Sequence, residues 1–297
     1  MLLTSLTLLI ALALILILVP AWGPGHHVEF AERLLADAER DLPADRARLL
    51  HEERSAYLYG NIAADIINFK AYGGPYSHCH RWGIISEMRA LSSSGTEEAF
   101  ILGYLSHLAA DTIAHNHFVP YHLARYARTK GLGHLYWEMM ADRFVPEERW
   151  SALAALRDDT DLDALDDLIH RTVTKKALSM GTNKLIFNHV LLISHRDKWR
   201  RGLERIHPVS RVDLSREFLA EFQDAAVDRI RLALQEDGVE RISPVDPNGA
   251  EAQRTALRAR TGTPRRWFPR SLPPAESEAL AAPYLVGMQS PPPVQTA

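Results

Sequence analysis

His107 and Asp111 lie four residues apart in an otherwise apolar stretch, with Leu108, Ala109, Ala110 and Ile113 around the carboxylate. On a helix that spacing puts both side chains on one face, one turn apart, as a shared metal ion requires. A charged carboxylate among such neighbours is costly to bury unless a cation or strong hydrogen bonds compensate it. Any fold of this chain therefore has to bring compensating groups to Asp111. Gly103 lies one turn earlier on the same face. His117 follows six residues later, where the helix is expected to end ahead of Pro120.

The same spacing returns at His134 and Glu138, a pair able to hold a second ion together with His117. Asp65 is a third polar intruder. On a helix from His51 to Phe69 it would share a stripe with Leu58, Ile62 and Ile66, and a cationic partner explains it better than solvent. After Gly73-Gly74-Pro75, His78 and His80 follow in a loop positioned to complete its metal. Ten of the 14 histidines fall between His26 and His134. One histidine on an apolar face is ordinarily a hydrogen-bonded core residue, and His51, His170, His189, His195 and His207 are read that way. Two spaced pairs, a following histidine and an aspartate within an apolar stripe form a joint pattern that core packing seldom produces. Cys79 is the single cysteine, which excludes a disulfide framework and a cysteine-rich zinc motif. Nitrogen-rich ligand sets without sulfur favour zinc over calcium or magnesium.

Helical periodicity runs through most of the chain. Val28, Phe30, Ala31, Leu34, Leu35 and Ala38 mark an amphipathic helix from His26 to Leu42, and Ser94 with Glu97 has the spacing of a capping box opening the helix that carries His107. Further helices are expected near Gly133 to Phe144, Leu162 to Leu178, Asn183 to Arg205 and Leu214 to Glu236. No stretch sustains period-two alternation, so the fold class is all-α. With 46% hydrophobic residues there is ample material for one core, and a net charge of -3 gives no global field toward nucleic acid or an anionic membrane. Residues 1–21 read as a signal peptide or membrane anchor: an apolar run ending in Val19-Pro20-Ala21, which suits cleavage ahead of Trp22 and implies export to the periplasm or medium. Retention of the run would leave the protein membrane-anchored. Residues 22–245 are expected to form one helical domain, and 246–297, rich in Pro and Arg, a flexible tail.

Four segments carry a resemblance: Trp22-Gly23-Pro24-Gly25-His26-His27-Val28-Glu29, Leu58 through Asp65, Gly103-Tyr104-Leu105-Ser106-His107-Leu108-Ala109-Ala110-Asp111 through His117, and His134 with Glu138. Together they resemble the zinc-dependent phospholipase C family over roughly residues 22–140. The resemblance implies an all-helical fold with three zinc ions, one of them bound by the amino and carbonyl groups of an N-terminal tryptophan. Trp22 through its main chain, His27 and a bridging Asp111 would then hold one ion. Asp65, one of His78 or His80 (His80 by spacing), His107 and Asp111 would hold a second, and His117, His134 and Glu138 a third. The choice of His27 over His26 rests on the His-Val-Glu context, and Ala64 stands where the family often has proline. His115 and His122 stay unassigned.

The activity so implied is hydrolysis of phosphodiester bonds in phospholipids by metal-activated water, with Asp65 as the catalytic residue that orients or deprotonates the water. Interfacial membrane contact would accompany it, with Tyr57, Tyr72, Tyr76, Trp82 and Phe118 as candidates to pack on lipid. A related group, the single-strand-specific nucleases, shares the zinc arrangement and an N-terminal Trp-Gly with histidine five residues on, as in Trp22 and His27. Those nucleases typically carry Asp where this chain has Glu138. A non-catalytic, membrane-anchored metal-binding protein is the third reading.

Overall fold

The computed structural model describes residues 22–74, 78–126, 137, 140–194, 214–261 and 272–289. Helices dominate and no strand occurs among the described residues. Helix α1 (Pro24–Asp41) is followed by α2 (Ala44–Glu52), α3 (Arg54–Ala63), α4 (Gly83–Leu91) and α5 (Gly95–Ile113). Then come α6 (Val119–Tyr126), α7 (Glu147–Asp158), α8 (Asp166–Thr172) and α9 (Met180–Ser194), with α10 (Arg216–Ala233), α11 (Gly238–Ile242), α12 (Ala250–Thr261) and α13 (Pro274–Ala281) after them.

Helix α5 is the axis of the molecule. Its start is fixed by the expected capping box: Ser94 Oγ accepts from the Glu97 N–H at 3.2 Å, and the Glu97 carboxylate accepts from the Ser94 N–H at 3.1 Å. Every residue from Ala99 to Ile113 is buried, as a helix that is apolar nearly all round must be. It packs chiefly on α3 and α10, while α1 lies across α3 and α10. Between α3 and α5 the contact is backbone on backbone. A Cβ added at Gly103 would run into the Tyr57 carbonyl and stand 3.0 Å from the Gly60 Cα, and one at Gly60 would meet the Phe100 carbonyl. Only glycine at both positions permits this approach.

The second expected helix is shorter than its pattern. It ends at Ala63, so Asp65 lies in the turn that closes α3, not on the stripe of Leu58 and Ile62, and its N–H donates to the Ile62 carbonyl at 3.2 Å. Helix α5 also does not stop before Pro120. A π-helical turn (Ala114–Phe118) joins it to α6, and Pro120 fits in the first turn of α6, where a missing N–H is tolerated. The expected Leu162 to Leu178 helix is a 3-10 turn (Thr160–Leu165) running into α8. Residues 1–21, the expected leader or anchor, lie outside the described residues, as do 127–136 and 195–213. No helix among the described residues is long and apolar enough to cross a membrane.

The expected tail is the largest departure. Helices α12 and α13 pack on α6, and Gln253, Ala256, Arg260, Ser277 and Ala281 are buried. Gln253, Ala256, Leu257 and Arg260 recur at three and four residue intervals, so the segment has a helical face built from small and long amphipathic side chains.

Candidate metal centre

Three segments converge on the middle of α5. His107 and Asp111 project from it, Asp65 from the turn after α3, and His80 from the loop before α4. The first turn of α1 adds His27. His107 Nδ1 donates to the Asn61 carbonyl at 2.8 Å, a bond that depends on the glycine crossing of α3 and α5. A carbonyl can only accept, so the proton sits on Nδ1 and the Nε2 lone pair faces the cluster.

Asp111 is fully buried, and its two oxygens face different neighbours. Oδ1 lies 3.5 Å from His27 Nε2, while Oδ2 lies 3.2 Å from both His107 Nε2 and His80 Nε2. Among the described residues neither oxygen has an aligned hydrogen-bond donor, and neither ring nitrogen of His27 has an aligned hydrogen-bond partner. His27 stacks on His107 with ring centroids 3.8 Å apart. Nε2 of His80 stands 3.0 Å from that of His107 and 3.3 Å from Asp65 Oδ1. His27, His107 and Asp111 form one set of donor atoms within 4.8 Å of one another, and Asp65, His80 and His107 form another.

Electrostatics favour the ligating forms of His27, Asp111 and Asp65, whereas at His80 burial and Lys70 are outweighed by Cys79 and the Asp111 and Asp65 carboxylates, which push its pKa up. Burial, with repulsion from His107 next, lowers the pKa of His27 to about 4, so its ring is neutral near pH 7. Burial works to raise that of Asp111, yet His107, His115 and His27 outweigh it and hold the carboxylate ionised. At Asp65 burial is again outweighed, first by the Lys70 ammonium and then by His107 and His80. Lys70 pairs with Asp65 Oδ1 and lies 3.2 Å from His80 Nε2. It reaches inward from a turn in which Phe69 adopts a φ of 55°. Sequence reasoning passed over Lys70; an unusual φ is not legible in the sequence, and a lysine in a polar loop reads as solvated.

The two histidines of each pair meet different neighbours. His26 turns away, with Nδ1 3.0 Å from Asp142 Oδ1, whereas His27 faces Asp111. His78 Nδ1 accepts the His80 N–H at 3.0 Å, which keeps the proton of the neutral ring on Nε2, and His78, Cys79 and His80 present donor atoms within 4.8 Å of one another. Burial, then His80 and Lys70, lower the pKa of His78 to about 3. Trp22 is buried, and its indole Nε1 donates to the carbonyl of Ala110 at 3.3 Å, next to Asp111. His117 sits half-buried on the π turn, its Nδ1 donating to the Tyr284 carbonyl at 2.8 Å. His134 and Glu138, expected to join it, lie outside the described residues.

Beside His80 a cavity of about 570 Å³ opens, lined by Gly74, His78, His80, Arg81, Trp82 and Pro247 among others. Of the aromatic candidates, Trp82 lines this cavity, Tyr72 is exposed, Tyr57 and Phe118 are core, and Tyr76 lies outside the described residues. The donors fit zinc, because imidazole nitrogens and carboxylate oxygens suit it and the unsatisfied buried atoms of Asp111 and His27 call for a cation.

A buried histidine and aspartate cluster held by an all-helical scaffold defines a candidate metal centre. The family model of zinc-dependent phospholipase C matches residues 26–188, and the chain belongs to that family. No curated protein and no solved structure matches it.

Proposed function

We propose that the chain hydrolyses phosphodiester bonds of phospholipids with three zinc ions bound per chain. The observation that carries this reading is Asp111, a fully buried carboxylate whose two oxygens face separate imidazole sets without an aligned donor. Trp22, His27 and Asp111 would hold one ion, Asp65, His80, His107 and Asp111 a second, and His117, His134 and Glu138 a third. Bound zinc supplies an acidified water and neutralises phosphate charge.

The protein's own groups do the positioning. Asn61 locks His107 with Nε2 toward the ions. Asp65, held ionised by Lys70, accepts a hydrogen bond from the attacking water and orients it toward phosphorus. The cavity beside His80 takes the organic part of the substrate against Trp82. Hydrolysis adds water across one P–O bond, leaving diacylglycerol and a phosphorylated head group. Phe69 and Tyr72, exposed on the turn that carries Lys70, are assigned to contact with the lipid surface. Export ahead of Trp22 would free the amino group that the first ion requires.

The test is a substrate panel with the zinc-loaded chain: phosphatidylcholine vesicles against single-stranded DNA. Chelator-sensitive release of phosphocholine, lost in Asp111→Asn, is expected. Cleavage of DNA alone would move the chain to the nuclease reading, and turnover of neither to a non-catalytic metal-binding role.

A further inference from the structure

Four groups converge on Nε2 of His80. His107 Nε2 stands 3.0 Å from it, Asp111 Oδ2 3.2 Å and Asp65 Oδ1 3.3 Å. Those three are atoms of the kind that a cation gathers, at separations that suit a tetrahedral ion with bonds of roughly 2.0–2.2 Å. The fourth is itself a cation. The Lys70 ammonium lies 3.2 Å from the same nitrogen while it pairs with Asp65 Oδ1. An imidazole nitrogen offers one in-plane position, as a lone pair or as an N–H, and that position cannot serve an ammonium and a metal ion together.

The backbone aims Lys70 inward. Asn68, two residues earlier, is buried and pinned to α9, its N–H donating to Asn183 Oδ1 at 2.9 Å and its Nδ2 to the same oxygen at 3.0 Å. Phe69 then takes a φ of 55° and Gly74 one of 73°, bracketing the 3-10 turn Lys70–Gly73. A positive φ is strained for a bulky residue such as phenylalanine. The Lys70 side chain is 28% exposed, so open solvent lies beside it.

We infer that Lys70 is a resident cation that competes with the second ion for His80, keeping Asp65 and yielding Nε2 when the ion binds. This rests on the reading of Asp65 and His80 as ligands of one ion. A tethered competitor acts at high effective concentration, and it lowers apparent metal affinity by the fraction of molecules in which it leaves the position free. It also supplies the buried Asp65 carboxylate with a counter-charge before an ion arrives.

Chelator competition on the full chain measures the effect. In Lys70→Met one of the zinc dissociation constants should tighten roughly 10- to 100-fold, for a free fraction of roughly 0.1 to 0.01 in the wild type. Amine acylation of the wild-type chain, read by mass spectrometry, needs no variant to fold. Lys70 should react faster with zinc bound than in the metal-free protein, with exposed Lys175 as the internal reference. Unchanged or weaker zinc affinity in Lys70→Met would make Lys70 a support of the site and overturn the inference, as would a Lys70 reactivity that zinc does not raise. His80→Ala reports on the reading beneath it. Undiminished zinc affinity there would remove His80 as a ligand, whereas a loss in His80→Ala without a gain in Lys70→Met would sink the competition alone.

Discussion

Gly103→Ala tests how the fold makes the site. The added Cβ would stand 3.0 Å from the Gly60 Cα and 3.0 Å from the Asn61 nitrogen, and would overlap the Tyr57 carbonyl. Carbon contacts need about 3.5–4.0 Å, so α3 and α5 must part by roughly 0.5–1 Å, and no flexible side chain can absorb the change. Overpacking of this kind costs about 1–3 kcal/mol, against which alanine returns up to about 1 kcal/mol of helix propensity. The net expected loss is roughly 1–2 kcal/mol in urea unfolding of the metal-free protein. The same movement stretches the 2.8 Å bond from His107 Nδ1 to the Asn61 carbonyl, so zinc affinity should fall about 10-fold or more. Gly181→Ala is the control: nothing lies within 4 Å of its Cβ, and it should leave zinc binding unchanged. If Gly103→Ala keeps wild-type stability and zinc affinity, the backbone crossing does not hold the centre together.

Asp111→Asn preserves shape but removes the charge facing both imidazole sets, so affinity for two ions should drop by more than the roughly 100-fold upper range of outer-shell changes; loss of one ion alone would contradict the bridge. Lys70→Met strips Asp65 of its ammonium and should destabilise the metal-free protein by about 1–3 kcal/mol near pH 7. That difference should shrink as pH falls, because the folded-state pKa of Asp65 is depressed and the pair contributes only while the carboxylate is ionised; a pH-independent difference would argue against the pair. Burial lowers the pKa of His122 from 6.5 to about 3, so the folded state resists a proton that the unfolded state takes up. Stability should fall progressively as pH drops from 6.5 toward 3, by roughly 3–5 kcal/mol at 1.36 kcal/mol per unit, and His122→Gln should remove that part of the pH slope. An unchanged slope would refute this role.

What was legible was what local spacing encodes. The capping box at Ser94 and Glu97, the apolar body of α5 and the pairing of His107 with Asp111 follow from helical geometry, and each stands in the structure as expected. Asp65 reached its neighbours by a different route, because Ala64 and Asp65 turn the chain where the apolar pattern alone suggested more helix. The bond from His117 on the π turn to the Tyr284 carbonyl was not readable. His117 and Tyr284 are 167 residues apart, and a backbone carbonyl leaves no signature in composition. The helices beyond residue 250 hid for a related reason, since alanine and arginine can build a packing face without raising local hydrophobicity.

The central claim is a zinc cluster assembled on an exported chain that begins at Trp22. Elemental analysis of the purified protein, paired with mass spectrometry of its N-terminus, tests it most directly. The account predicts three zinc ions per chain and Trp22 as the first residue. Zero or one zinc with residues 1–21 still attached would contradict it.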